Sequence, residues 1–339
     1  MNIKEVAERA GVSITTISRV LNAPEKVNVK TKEKVLATME EMNYTPNWFA
    51  RNLQHSRTNL IGVILPDNLQ QSNMELAKGI EKIALQKECN IILCNTGYDR
   101  HIENEHIQRL IERSIDGLIL ISSTLTKEDI AVIKDKAVPF VLVEKTAASK
   151  GENIVYTNND TATYEAVSYL AEMGRKTIAI ITPLKNSFTN EEKLRGYREA
   201  LKDWKLEIDK EIILNAEDTL EGGFAATNKL INSDKKPDAI FVCTDTMAFG
   251  AIEAIRQNNL TSDEIGVIGF DGLEVGAVVE PKLTTVKRPS YRMGLTAGRM
   301  LFDLIENETG EDDEQAVMLQ SKLLIRKSCG NRERLREIW

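Results

Sequence analysis

The chain reads as a small all-α helix-turn-helix head followed by an α/β body of two doubly wound parallel sheets. Three observations predict this. Two short amphipathic helices flank a glycine near the N-terminus, short apolar runs alternate with amphipathic helical segments from residue 60 on, and that alternation is completed twice. A length of 339 residues is also too great for one comfortable core and suggests two or three domains.

The head is predicted first. Asn2 followed by Glu5 has the spacing of a capping box, so a helix starts at once, and Gly11 breaks it. Ser13 caps a second helix that runs to Leu21. Two helices joined by a tight Gly-containing turn make a helix-turn-helix, whose second helix enters the major groove of DNA. Ala7, Ala10, Val12, Ile17 and Val20 should pack inward, leaving Ile14, Thr15, Thr16, Ser18 and Arg19 outward. Thr31 should cap a third helix, Lys32 to Met42, with Val35, Met39 and Met42 closing the core; residues 43–47 end it, because the residue before Pro46 is pushed out of helical space. Residues 46–57 carry Trp48, Phe49 and Leu53 yet are too short for a stable isolated helix. That segment is expected to order only when DNA and a partner chain both support it.

In the body, strands are predicted at Leu60–Leu65, Asn90–Cys94, Gly117–Ile121 and Pro139–Val143, with helices at Glu75–Gln86, Ile102–Arg113 and Lys127–Lys134 between them. A second series has strands Thr177–Ile181, Glu211–Leu214, Ala239–Cys243 and Gly266–Phe270. Its helices are Thr161–Met173, Glu191–Trp204, Gly222–Asn232 and Met247–Asn258.

Composition narrows the function classes. The net charge is -7, but residues 1–58 hold nine Lys/Arg against six Asp/Glu while the remainder holds 35 against 45. A basic head on an acidic body suits local phosphate contact. No apolar run approaches the ~20 residues of a membrane span, and Met1–Glu5 leads into a charged helix with no sign of a signal peptide, so a cytoplasmic protein is expected. Cys89, Cys94, Cys243 and Cys329 show no metal-ligand or CxxC spacing. His55, His101 and His106 exhaust the histidines, and no nucleophile elbow, phosphate loop or carboxylate pair stands out. No catalytic residue, metal or cofactor is expected.

The residues Val6-Ala7-x-x-Ala10-Gly11-Val12-Ser13-x-x-Thr16-x-Ser18-Arg19-Val20-Leu21-Asn22 resemble the head of the lactose-repressor/galactose-repressor family of bacterial transcription regulators. The likeness continues through Val27-x-x-x-Thr31 and Asn43-Tyr44-x-Pro46-Asn47-x-x-Ala50-Arg51-x-Leu53, and more loosely through Ile61-Gly62-Val63 almost to the C-terminus. It implies a bilobed body like that of periplasmic sugar receptors, with the chain crossing between lobes several times. The implied divisions are a head at 1–45 and a hinge helix at 46–58. A first lobe takes 59–157 with 286–318, a second takes 158–285 with 319–330, and a short tail spans 331–339. Leu283–Lys287 and the helix Arg292–Glu306 are expected back in the first lobe, and Leu319–Arg326 in the second.

Resemblance and residue chemistry together assign expected roles. Ile14, Thr15 and Arg19 should read bases, with Thr16, Ser18, Asn22 and Tyr44 on phosphates. Hinge helices from two subunits would meet in the minor groove, Leu53 wedging a base step, Ala50 allowing close approach, and Asn47, Arg51 and Asn52 contacting groove or backbone. One head reads one half-site, so a homodimer on a palindromic double-stranded operator is expected. Ligands of such sheets bind at the carboxyl ends of strands, which nominates Ser72, Asn73, Asn158, Asn159, Lys193, Asp245 and Asp271 for an effector. The family's ligand-binding Asp after Gly-Phe matches Asp271, and its usual Arg is Lys193 here, which lacks the planar fork of arginine. With Lys185 and Arg195 nearby, this suggests an anionic effector, a sugar acid or sugar phosphate. The expected function is a ligand-controlled regulator of transcription, a repressor of a carbohydrate-use operon. The alternatives are a regulator answering to a phosphorylated carrier protein and a solute receptor that binds no DNA.

Overall fold

The computed structural model describes residues 2–22, 24–44, 57–67, 70–122, 124–184, 187–306 and 314–330. Asn47, Ala50, Arg51, Asn52, Leu53, Lys185, most of the hinge, the tail at 331–339 and the side chain of Asn22 lie outside them. Packing divides the chain into two units, Met1–Leu60 with Ser114–Asp116, and Ile61–Arg113 with Gly117–Trp339.

In the first unit, helices α1 (Ile3–Ala10), α2 (Ile14–Asn22) and α3 (Val29–Glu41) form the head. The capping box is complete: the Asn2 side chain accepts from the Lys4 and Glu5 amides, and Glu5 accepts from the Asn2 amide. Gly11 ends α1 with φ 65°, in the left-handed region that glycine enters without a Cβ penalty. Ser13 Oγ accepts from the Thr16 amide at 3.1 Å and so opens α2. Helix α3 begins earlier than the sequence suggests, because Asn28 rather than Thr31 supplies the cap. Val6, Ala7, Ala10, Ile17, Val20, Val35 and Met39 make the core, with Val12, Met42 and Tyr44 packed against it.

The second unit holds two six-stranded sheets. The first contains β1 (Leu60–Leu65), β2 (Asn90–Asn95), β3 (Gly117–Ile121), β4 (Phe140–Val143), β5 (Ile154–Thr157) and β11 (Ala316–Leu319), in the order β11-β5-β4-β3-β1-β2. The second contains β6 (Ile178–Pro183), β7 (Ile213–Ala216), β8 (Ala239–Val242), β9 (Gly266–Asp271), β10 (Thr284–Lys287) and β12 (Lys322–Leu324), in the order β12-β10-β9-β8-β6-β7. Its pairs are parallel except β10 with β12, which is antiparallel. Helices α4 (Gln71–Gln86), α5 (Arg100–Glu112), α6 (Lys127–Asp135) and α11 (Ser290–Glu306) accompany the first sheet. Helices α7 (Asn159–Glu172), α8 (Phe188–Asp203), α9 (Leu220–Ile231) and α10 (Asp245–Gln257) accompany the second. Each sheet has its own apolar core, one around Ile61, Val63, Ile119 and Val141, the other around Ile180, Phe241, Ile268 and Phe270.

Two placements differ from expectation. Thr284–Lys287 pairs with β9 through Thr284↔Ile268 to Lys287↔Asp271, so residues 286 and 287 belong to the second lobe and the chain crosses back only at Arg288-Pro289. The expected segment 319–326 is split, Ala316–Leu319 closing the first sheet and Lys322–Leu324 the second. Strands β5 and β11 are additional to those expected from sequence; they pair with one another, β11 forming the edge of the first sheet.

Candidate effector site

Three crossings join the lobes, and side chains rather than loops tie them. After β5 the chain enters the second lobe at Asn158, whose Oδ1 accepts from the Ser321 amide of the last crossing at 2.9 Å. The buried Asn159 opens α7 and gives its Nδ2 to Glu144 Oε2 at 3.3 Å and to Glu192 Oε2 at 3.0 Å. Glu144 directly follows β4, accepts from the Thr157 hydroxyl at 3.0 Å, and is ion-paired with Arg288 of the remaining crossing. Burying two carboxylates is costly unless each is paired and hydrogen-bonded, and both conditions are met here. At the outer end, Glu192 takes Lys145 Nζ at 3.2 Å.

Between the lobes lies a cavity of about 420 Å³. Its walls are the carboxyl ends of strands: Asp67 beyond β1, Asn95 of β2, Ser122 beyond β3, Glu144 beyond β4, Pro183 of β6, Asp218 beyond β7, Thr244 beyond β8, Asp271 of β9 and Arg288 beyond β10. Gln70, Ser72 and Asn73 at the start of α4, Tyr98, and Ser187, Asn190 and Lys193 around the start of α8 complete the lining. Gln70 bridges the lobes, its Nε2 donating to Asp218 Oδ2 at 2.8 Å while its Oε1 accepts from Asn73 Nδ2 at 3.2 Å. The Thr244 hydroxyl donates to the other Asp218 oxygen at 2.6 Å, and burial pushes that carboxyl up. Burial also pushes the Tyr98 phenol up to about 12, so it stays a donor.

Asp271 stands apart. Its φ is 126°, its carboxylate accepts no hydrogen bond among the described residues, and its nearest cation is Arg288 Nη1 at 3.8 Å. Burial pushes its carboxyl up to about 7, against the opposing pull of Lys193 and Arg288. The two cations among the described lining residues are already engaged. Lys193 Nζ donates to the Cys243 carbonyl at 2.8 Å and rests 3.9 Å from the centre of the Phe270 ring. Arg288 is held by Glu144.

The matches to known proteins agree with this geometry. Residues 58–327 match the family model for periplasmic binding proteins and the sugar binding domain of the LacI family, and residues 2–47 match that for bacterial regulatory proteins of the lacI family. The chain belongs to the LacI family. It is 34% identical to the catabolite control protein A of Priestia megaterium over 330 residues, which covers 97% of this chain and 99% of that one. Among solved structures, the lac repressor dimer bound to operator and an anti-inducer is 26% identical with a TM-score of 0.86, over 97% of this chain and 99% of that one. A complex of the regulator CelR with cellobiose is 26% identical with a TM-score of 0.72, over the same shares. This LacI-family chain is a DNA-binding transcription regulator with a ligand-binding body.

Of the effector residues expected from sequence, Ser72, Asn73, Lys193 and Asp271 line the cavity, whereas Asn158, Asn159 and Asp245 do not. Asn158 and Asn159 secure the crossings described above. Asp245 is fully buried and accepts from the Gly272 and Leu273 amides at 2.8 and 2.7 Å and from the Thr285 hydroxyl at 2.6 Å, so it braces the loop after β9. Arg195 points away from the cavity and pairs with Asp160 at 2.7 Å, two helical positions from Lys193 and so on another face. Among the described lining residues, Asp67, Glu144, Glu217, Asp218 and Asp271 outnumber the cations Lys193 and Arg288, while Lys185 lies outside the described residues. Sequence reasoning missed Glu144, Asp218 and Arg288; applying the strand-end rule to β4, β7 and β10 as well would have found all three.

On the head, Ile14, Thr15 and Arg19 are exposed on one side of α2, and Ser18 is half-buried. The Thr16 and Ser13 hydroxyls are hydrogen-bonded to each other at 2.9 Å. Tyr44 lies partly buried against the head core.

Proposed function

We propose that this regulator is a cytoplasmic, homodimeric repressor of a carbohydrate-use operon, released from or recruited to a palindromic operator by a neutral polyhydroxyl compound. The observation that carries the ligand class is the state of Asp271: an open acceptor in a polar cavity where Arg288 and Lys193 are already engaged. A carboxyl group that accepts hydroxyl hydrogen bonds is an effective hold on a sugar. The cellobiose in the CelR complex is a neutral sugar of this kind. The cavity volume of about 420 Å³ suits a monosaccharide or disaccharide.

The DNA side rests on the exposed Ile14, Thr15 and Arg19 of α2 for bases, and on Thr16, Ser18, Asn22 and Tyr44 for phosphates. Asn47, Ala50, Arg51 and Leu53 complete the contact as a hinge in the minor groove. The lac repressor dimer on its operator supports both the pairing of subunits and the target. The ligand acts by favouring one arrangement of the lobes, and so one presentation of the two heads.

The test uses the full chain, DNA from its own promoter, and matched neutral and acidic sugars. A neutral sugar that raises the melting temperature and changes operator affinity supports the reading. A larger response to sugar acids or phosphates refutes the ligand class, and failure to retard any promoter DNA refutes the regulator.

A further inference from the structure

Arg288 has more donors than partners. It directly follows β10, reaches Glu144, and keeps its buried Nε–H without an acceptor among the described residues. A buried donor left unpaired is costly, and it calls for a partner oxygen. Beside it lies the complementary vacancy, the Asp271 carboxylate that accepts no hydrogen bond among the described residues. The 3.8 Å between Arg288 Nη1 and Asp271 Oδ1 is too long for a hydrogen bond. Both residues line the same cavity, so the Arg288 guanidinium and the Asp271 carboxyl form a donor–acceptor pair there. A hydroxyl satisfies both at once, donating to Asp271 and accepting from Arg288, and two adjacent hydroxyls use the full width of the pair.

An isolated arginine in this position would attract a carboxylate or phosphate bidentately. Glu144 prevents that. It is only 1% exposed, is fixed by Thr157 and Asn159, and lies against the guanidinium. We infer that Glu144 is a positioning residue that holds and neutralises Arg288, so that the Arg288–Asp271 seat takes an uncharged vicinal diol and rejects its acidic analogue. This rests on the polyhydroxyl reading above and adds to it the residues that set the charge preference. Because Glu144 also binds Thr157 and Asn159, the seat is joined directly to the first interlobe crossing.

Isothermal titration of the full chain, with Glu144→Gln and Glu144→Asp variants, tests the inference. The probes are glucose with glucuronate and glucose 6-phosphate, galactose with galacturonate, ribose with ribose 5-phosphate, and cellobiose. The wild type should bind a neutral member at least about tenfold tighter than its acidic partner. Glu144→Gln should shrink that ratio by at least about fivefold, with the acidic partner gaining affinity, and Glu144→Asp should restore it. A general loss of packing weakens both ligands alike and leaves the ratio where it was. An unchanged ratio in Glu144→Gln, with neutral binding intact, overturns the role of Glu144 and leaves the polyhydroxyl reading standing. Tighter binding of the acidic partners by wild type, or binding of no probe at all, overturns that reading and this inference with it. Should Glu144→Gln fail to fold by circular dichroism, Arg288→Gln decides: at least about tenfold loss of the neutral ligand is expected, and undiminished affinity overturns the seat.

Discussion

Asp116 holds Thr58 twice, accepting its amide at 2.7 Å and its hydroxyl at 3.0 Å on Oδ1, while Oδ2 takes the Asn59 amide at 2.8 Å. The Thr58 hydroxyl is shared with the Ser114 carbonyl at 2.9 Å, and Asn59 has a left-handed φ of 52° that this grip stabilises. The carboxylate thus fixes the last residues of the segment proposed as the hinge. Asp116→Ala removes three hydrogen bonds worth about 1 kcal/mol each before relaxation. The expected result is roughly tenfold weaker operator binding by fluorescence anisotropy, with Asp116→Asn losing less because it keeps one acceptor. Equal affinity for wild type and Asp116→Ala would show that the root of the hinge needs no fixed point.

Asp271 trades stability for binding. Lys193 from α8, Arg288 from the crossing, and the carboxylates of Asp245 and Asp218 all act on it, yet burial dominates and keeps its proton on at pH values where the unfolded chain has lost it. Burial pushes Asp245 up as well, to about 6. A folded-state carboxyl raised in this way favours the folded state at low pH, and that contribution disappears as pH rises from the ordinary carboxylate range towards 7. The ligand-free chain should therefore melt at a lower temperature at pH 7.5 than at pH 5.5. Asp271→Asn should flatten that dependence, stabilise the ligand-free chain by ~1–3 kcal/mol at pH 7.5 and abolish neutral-sugar binding. A variant that melts earlier than wild type at pH 7.5 would contradict the cost assigned to burying this carboxylate.

Much of this was legible in sequence, for identifiable reasons. The head was readable because its signals are local: Asn2 with Glu5, Gly11 and Ser13 each act within four residues. Gly269-Phe270-Asp271 was readable because the strand end and the family motif coincide. Glu144 and Arg288 were not, since nothing within either segment records that they meet across 144 positions of chain. The same limit applies to Asn159 and Asp245, polar residues at helix starts that hydrogen-bond to Glu192 and Thr285 and lie outside the cavity lining. Lys193 lines the cavity as expected, but the Cys243 carbonyl and Phe270 ring that engage its ammonium arrive from other strands and leave no local signal.

The sequence Lys193-Leu194-Arg195-Gly196-Tyr197 divides its labour along one helix. Tyr197 is fully buried and donates to the Ile178 carbonyl at 2.7 Å, anchoring α8 on β6. Gly196 is where α8 meets α7: a Cβ there would lie 2.1 Å from the Asp160 carbonyl oxygen and 2.9 Å from its carbon. Helix backbone cannot yield as a side chain can, so Gly196→Ala must push the helices apart. A loss of about 3 kcal/mol in urea unfolding is expected, with weaker ligand binding because Lys193 and Glu192 move with α8. Stability within ~0.5 kcal/mol of wild type would mean that the two helices slide freely at this contact.

On the head, exposure and chemistry separate two kinds of contact. Thr15 is exposed on α2 beside the 42%-exposed Ile14, and both offer methyl groups suited to thymine. Ser18 is half-buried on the same helix and offers a hydroxyl suited to a phosphate. Thr15→Ala should therefore reduce discrimination at one operator position by ~1–2 kcal/mol while leaving binding to unrelated DNA unchanged. Ser18→Ala should weaken binding to all sequences by a similar factor, with no change in preference. Competition binding against an operator library reads both effects together. If the position-specific loss followed Ser18→Ala and the uniform loss followed Thr15→Ala, α2 would sit in the groove with the opposite rotation, and the assignment of Ile14 and Thr15 to bases would be lost.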